Sequence, residues 1–595
     1  MLPAVNSTVL ERCRFLNQQG INLAQQARLE EAAASFQEIL RHDAGFVDAY
    51  CNLGLVYSFQ RRYDEAVRWI EKAVALQPGH PVILNNFSNA LREQGELHRA
   101  VEAARRALSV WPQYAEAHNN LGAALVGLRK FNEAQTCLLS AVQFNPASAE
   151  AHSNLGDVYR RLNFPVEAVQ HGREALRLRP DCAEWCYRLA ESLMCCNDHR
   201  EAESWLLRAL QLNPDLWEAS LGLAQLDMRW GKLAEAEVRC RNLVALLPEK
   251  AEIHNGLGVI LKKQGRLAEA REQFERALRL KPDFADAHFY LGMLLLLQGD
   301  FIGGLPEYEW RWQSHSLRQL PEPAWDGSSL EGRTLVLHPE QGTGDTLQFI
   351  RYGPLLQRSG ARVLLACDGN LPPLLSRSGV VDGFLHPGET PPGAVHASLM
   401  SLPMLLKTTA ETIPAPVPYL KADPDRVELW RTQLAGLPGR KVGVCWQGNR
   451  YHLDDHLRSF PPARLEPLAR VPGTNLISLQ VGYGSEQILS VADRFELLDA
   501  NPRLDHNRGA FVDLAALMLN LDLVVTCDTA VAHLAGALAV PTWVALPFAP
   551  DWRWQLDRID SPWYPSMRLF RQQRPADWDG VFLQMAQELE RMSRH

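Results

Sequence analysis

No stretch of the 595 residues approaches the roughly 18 uninterrupted apolar residues of a membrane-spanning helix, so no membrane span is expected. The opening MLPAVNSTVLERCRFLNQQG lacks a basic segment followed by a continuous apolar one, so no secretory signal is expected and the cytoplasm is the default location. Positive charge is also short: 61 Lys and Arg against 69 Asp and Glu give a net charge of -8, which argues against a nucleic-acid partner. Cysteine is sparse and scattered. The one tight group among eleven, Cys182, Cys186, Cys195 and Cys196, has no companion histidine pair and reads as buried free thiols rather than a zinc site.

What is present is a folded chain, 46% hydrophobic and 22% charged, too long for one hydrophobic core. A fixed period organises its first half. Prolines fall every 34 residues at Pro78, Pro112, Pro146, Pro180, Pro214, Pro248 and Pro282. Leu-Gly or Leu-Ala pairs recur in the same register from Leu53-Gly54 to Leu291-Gly292, and so do Ala66, Ala100, Ala134, Ala168, Ala202, Ala236 and Ala270. Three superposed series at one period imply one helical hairpin per repeat: small residues let two helices approach, and proline closes the second. This pattern resembles the tetratricopeptide repeat family. Full repeats are expected over about 45–282, within a solenoid spanning 1–312 whose end copies are degenerate.

Asn52, Asn86, Asn120 and Asn154 occupy one first-helix position in four successive repeats. An amide that donates and accepts at once suits the backbone of an extended peptide. It equally suits a half-buried repeat position. The series resembles the asparagine ladder of the O-linked N-acetylglucosamine transferases, which implies a protein or peptide held by the concave face of the repeats.

The last hairpin runs into DFIGGLPEYEWRW, and Pro321, Pro323 and WDGSSLEG then mark a linker over 313–333. Tyr308, Trp310 and Trp312 read as glue between the solenoid and the domain after it. From Thr334, short apolar runs (TLVLH, RVLLA, KVGVCW, NLISLQ, DLVVTC, TWVAL) alternate with helical stretches, which implies parallel sheets flanked by helices. Two such groups are expected, 334–425 and 440–575, with a closing helix over 576–595. Their strand ends would face a shared crevice.

Two loops carry the chemistry. After TLVLH, the segment PEQGTGDTLQFIRYGPLL holds Gly342 and Gly344, which permit a tight turn and close approach to a ligand. Asp345 follows at the start of a helix, as a cap, as a general base, or both. After DLVVTC come Asp528, Thr529, Ala530 and His533, where a helix amino terminus would meet an anion. These two segments resemble the signatures of the lipopolysaccharide heptosyltransferases, and the architecture resembles bacterial repeat-containing glycosyltransferases. The resemblance implies Asp345 as base and Gly344, Asp528, Thr529, Ala530 and His533 around the donor, with Ala530 standing where that family has glycine. Arg458, in the RSFP segment, matches its phosphate-facing cation.

Gln447, Asn449 and His452 either line the cleft or sit in a solvated loop, and Gln480 is placed against the nucleoside. Arg553, in the tryptophan-rich PFAPDWRWQ, either touches a substrate or belongs with Trp552, Trp554 and Trp563 to a packed rim. Neither Asp423-Pro424-Asp425 nor Asp454-Asp455 reads as a metal site. The expectation is an α-solenoid followed by a two-lobed, doubly wound α/β module: a metal-independent, inverting glycosyltransferase using a nucleotide-diphosphate sugar and no cofactor. The alternatives are an O-linked N-acetylglucosamine transferase proper and an inactive repeat scaffold.

Overall fold

The computed structural model describes residues 3–314, 320–321, 323–369, 371–450, 452, 454–504 and 509–592, so the 313–333 linker falls partly outside the described residues. The chain divides into two compact units, 1–226 and 227–595.

Helical hairpins fill the first unit and continue into the second. Seven of them, from Val47–Phe59 with Tyr63–Leu76 to Ala251–Lys263 with Leu267–Leu280, pair a helix of 13 or 14 residues with one of 14. The 34-residue alanine series is buried at every member, at most 1% exposed. The glycines opposite do the matching work: a Cβ on Gly54 would lie 2.3 Å from Ile70 Cγ1, and one on Gly258 2.6 Å from Phe274 Cε1. Each proline of the series follows the carboxyl cap of a second helix, from Gln77 to Lys281, and that cap has left the helical region, with ψ between 62 and 95°. A further 34-residue pattern serves the same turns. His118, His152, His254 and His288 each place Nε2 2.8–3.1 Å from the carbonyl oxygen of the proline six residues earlier, filling an acceptor that the helix end leaves open.

The last hairpin breaks the pattern. Ala285–Leu297 pairs with a helix of only eight residues, Phe301–Tyr308, interrupted by Pro306. Phe301 and Tyr308 turn inward, their rings 6.4 and 5.8 Å from that of Trp552. Trp310 instead stacks on His288 at 4.1 Å, inside the repeats.

The remainder of the chain forms two parallel sheets. β1 (Thr334–His338), β2 (Arg362–Ala366), β3 (Gly383–Leu385) and β4 (Val395–Ser398) order as β3-β2-β1-β4. β5 (Arg440–Cys445), β6 (Thr474–Ser478), β7 (Leu497–Asp499), β8 (Leu523–Cys527), β9 (Thr542–Leu546) and β10 (Met567–Arg571) order as β10-β9-β8-β5-β6-β7. β8 and β9 are buried at every residue, which is why both read as continuous apolar runs. In the larger sheet the winding reverses between β5 and β8, the position at whose carboxyl ends open α/β sheets generally bind ligands. Trp578–Met592 closes the described chain as a helix. Asp423 caps the helix Pro424–Leu434 through the amides of Asp425 and Arg426, so that acidic pair is a helix start.

Of the clustered cysteines, only Cys186 is buried; Cys195 is exposed and Cys182 and Cys196 are intermediate, which corrects the expectation of four buried thiols.

Candidate active site

The loop leaving β8 lies at the reversal point. Thr529 is the extended residue before the helix Ala530–Ala537, but it gives that helix no side-chain cap; its hydroxyl lies 3.3 Å from Thr526 Oγ1. The amide end of the helix is therefore left for another acceptor. Asp528 beside it is half-buried. Desolvation, then Asp551, push its carboxyl up to about 6, while Arg458 and the Trp554 indole pull it back. His533, 4% exposed, hydrogen-bonds the Tyr564 hydroxyl through Nδ1 at 3.0 Å and stacks on Trp554 at 5.6 Å. Burial, with Arg553 and Arg351 nearby, pushes His533 down to about 3, so its imidazole is neutral at ordinary pH.

The loop leaving β1 comes to the same place. Asp345 stands at the third position of the helix Thr343–Phe349, and Oδ2 accepts from the Gly342 amide at 2.9 Å. The capping reading is thus realised, and it leaves Oδ1 to pair with the Arg553 guanidinium. Burial raises the Asp345 carboxyl, and Arg553 and the Gly342 amide oppose that. Gly344 differs from its expected role: neither it nor Gly342 has a positive φ. A Cβ on Gly344 would lie 3.0 Å from His533 Cδ2 and 3.5 Å from Ala530 Cα. Its missing side chain is the space into which the β8 loop fits, so the two signature segments touch.

Arg553 ties this arrangement together. Only 7% exposed, it donates to Asp345, to Asp551 Oδ1 at 2.8 Å and to Gln348 Oε1 at 2.8 Å, and its guanidinium lies over the rings of Phe349 and Trp552. Trp552, Trp554 and Trp563 are all buried, as the packing alternative for that segment required.

The loop leaving β5 supplies Arg458, whose Nε is 3.5 Å from Asp455 Oδ1 and whose charge reaches Asp528. Gln447 donates to Asp455 Oδ2 at 2.5 Å, while Asn449 and His452 are exposed. Gln480 does not meet the expectation of a nucleoside contact. Its Oε1 accepts from the amides of Trp446 (3.3 Å) and Gln447 (3.0 Å), and its Nε2 donates to the carbonyls of Gln447 (3.1 Å) and Tyr483 (2.9 Å). The amide is used up in shaping the β5 loop. Asp454 pairs with Lys263 of the repeat helix Ala251–Lys263.

A second buried ionic knot supports the β1 loop, and residue order gave no sign of it. Arg311, 1% exposed, grips both oxygens of Glu340 at 2.6 and 2.7 Å and also Glu309 and Ser401, while Ser398 donates to Glu340 at 2.6 Å. Such a pair is recognised only once the fold brings positions 29 residues apart together.

In the repeats, Asn52, Asn120 and Asn154 donate through Nδ2 to Asn17, Asn85 and Asn119 at 3.0, 2.8 and 3.0 Å, and Asn86 to Cys51 Sγ at 3.2 Å. Each bond reaches back 35 residues, so the series staples successive repeats to one another. Each such bond uses one of the two N–H donors of the amide and leaves the other, with the rest of the ladder's hydrogen-bonding capacity, to a further partner.

The chain matches the family described as Tetratricopeptide repeat over residues 45–113 and 91–157, and that described as TPR repeat over 260–299. Protein FlbA of Caulobacter vibrioides is 30% identical over 292 residues, 46% of this chain and 48% of that protein. The chain thus spans about half the length of this curated relative. A thermophilic TPR protein of Thermus thermophilus is 24% identical over 31% of this chain and 99% of its own, with a TM-score of 0.28. A tetratricopeptide repeat protein of Parabacteroides merdae is 18% identical over 42% of this chain and 98% of its own, with a TM-score of 0.36. The helical half of the chain is an array of tetratricopeptide repeats, followed by a region of parallel sheets.

Proposed function

We propose that the sheet region is a two-lobed glycosyltransferase module that moves a sugar from a nucleotide-diphosphate donor to a protein or glycan acceptor recruited by the repeats. The observation that carries this reading is the contact of the two signature loops: Gly344 against Ala530 and His533, with Asp345 beside Arg553. One small locus thereby holds a carboxylate, an uncapped helix amino terminus and the cation Arg458, at the strand ends where open α/β sheets bind ligands.

In this reading the donor diphosphate lies against the helix that starts at Ala530, and Arg458 faces it. Charge developing on the leaving diphosphate is stabilised there by amide dipoles and a guanidinium already in place. Asp345, whose carboxyl burial raises against the pull of Arg553, takes the proton of the acceptor hydroxyl as that oxygen bonds to the anomeric carbon. The bond to the diphosphate oxygen breaks on the opposite side, and the configuration inverts. Neutral His533 presents its ring to the same locus without adding charge.

A scaffold reading draws on one observation of its own: both Asp345 oxygens and the whole Gln480 amide already have partners. The two readings part on a single experiment. The full-length protein is titrated with a panel of nucleotide sugars by thermal shift, and turnover is followed with Asp345→Asn alongside. A donor at about 100 times its dissociation constant should add roughly 2.7 kcal/mol. Stabilisation with product release that Asp345→Asn abolishes, donor binding being retained, is the expected result. Stabilisation without turnover supports the scaffold, and turnover unchanged in Asp345→Asn removes that residue as the base.

A further inference from the structure

The helix Ala251–Lys263 belongs to a repeat, yet its carboxyl end rests on two loops of the larger sheet. Lys263 pairs with Asp454 in the loop leaving β5. In the turn just beyond, Gly265 faces Phe548, in the loop leaving β9; a Cβ there would lie 3.0 Å from Phe548 Cε1. β5 and β9 are the two neighbours of β8. The helix end is therefore seated on both of the loops that flank the one leading from β8 to Ala530.

Lys262 stands at that helix end. Among the described residues no carboxylate or carbonyl lies within hydrogen-bonding reach of its ammonium, whereas Lys263 is paired, Arg553 holds Asp345, Asp551 and Gln348, and Arg458 holds Asp455. The groups that act on Lys262 are its neighbour Lys263, Asp454 on the β5 loop and Asp551 on the β9 loop. Arg229 and Tyr290, from neighbouring repeat helices, and His452 act on Asp454 or are acted on by it. A half-buried ammonium facing fixed carboxylates without closing on either is a cation left for an exogenous anion.

We infer that Lys262 is a repeat-borne ligand of the donor diphosphate, so that the solenoid completes the anion site rather than only recruiting an acceptor; this rests on the glycosyltransferase reading. Burial, together with Lys263, pushes the Lys262 ammonium down to about 8, with Asp454 and Asp551 opposing. Its contribution to anion binding is therefore present at neutral pH and lost as pH rises through that value.

The test is calorimetric titration of the full-length protein with inorganic pyrophosphate, UDP and ADP, using wild type, Lys262→Gln, Lys262→Arg and Arg458→Gln. Loss of one charge-assisted contact should weaken binding about 10- to 100-fold in Lys262→Gln. Lys262→Arg should retain most of the affinity, and the gap between wild type and Lys262→Gln should close between about pH 7 and 9.5. If Lys262→Gln melts early, Lys262→Arg decides instead: its charge does not titrate in this range, so wild type should lose affinity relative to it between about pH 7 and 9.5, and parallel pH profiles overturn the inference. If Arg458→Gln loses affinity while Lys262→Gln does not, the lysine is no ligand and the donor reading stands. If wild type binds none of the three anions, the donor reading and this inference fall together.

Discussion

His533 and Asp528 share one short loop and helix, yet burial moves them in opposite directions. Folded His533 titrates near 3 against an ordinary 6.5, so below pH 6.5 the unfolded chain takes up the proton first and stability falls as pH drops. Asp528 has the reverse sign: its raised carboxyl contributes stability that is present at low pH and lost as pH rises through about 6. The histidine term is the larger between pH 7 and 5, at about 2 kcal/mol lost. Urea midpoints measured at pH 7 and 5 should therefore fall more steeply for wild type than for His533→Gln. Parallel losses in the two proteins would mean that His533 is protonated in the fold. In the sequence this histidine stood as a candidate beside the donor. What residue order could not convey is that Tyr564, Trp554 and Arg553, from distant segments, surround it and fix it neutral.

Among the elements, the repeats obey their period because each hairpin is locally complete. The alanine series is buried by the same turn-to-turn contacts in every copy, and the prolines end helices through their own ring and the residue before them. The glycine positions, equivalent in sequence, are not equivalent in structure. At Gly122 an added Cβ would lie 2.5 Å from the Leu138 side chain, which can turn away; at Gly292 it would lie 2.5 Å from the Tyr308 backbone nitrogen, which cannot. Alanine returns about 1 kcal/mol of helix propensity at either site. Gly122→Ala should therefore shift the melting temperature little, whereas Gly292→Ala should cost about 1–3 kcal/mol through a displaced last hairpin. Equal effects would show that the short helix Phe301–Tyr308 gives way as readily as a leucine. The asparagine series makes the same point at lower energy. Its spacing was plain from the sequence, but only the 35-residue hydrogen bonds reveal that the amides join neighbouring repeats.

Across the whole molecule, helices give way to strands between Ser314 and Thr334, but the compact units divide at 226/227. The last repeats belong with the sheets because Phe301 and Tyr308 pack on Trp552, Lys263 holds Asp454, and Arg311 is buried against Glu340. A fragment beginning at residue 313 would lose Phe301 and Tyr308, uncover Trp552 and strip the site loops of both ionic supports, including Arg311, whose loss leaves the buried Glu340 without its cation. A fragment beginning at Asp215, ahead of the helix Trp217–Arg229 that pairs with Leu233–Leu246, should express as a folded, cooperatively melting protein, and one beginning at 313 should aggregate. Cooperative melting of the shorter fragment would show that the repeats are dispensable to the sheets.

The sequence by itself determined what depends on near neighbours: the 34-residue period, the helices it dictates, the apolar runs that become β8 and β9, and the two loops carrying Asp345 and Asp528. Those signals are local, since helix pairing within a repeat and burial of a strand on both faces both leave their mark on a few adjacent residues. Only the tertiary structure decided that Gly344 makes room for another loop, that Gln480 is spent on the backbone, that Arg553 and Arg311 hold the first loop from far along the chain, and that a repeat lysine, Lys263, pairs with the β5 loop. Each of those is a contact between segments that are remote in sequence, and a charge or a cavity has no period by which residue order could announce it.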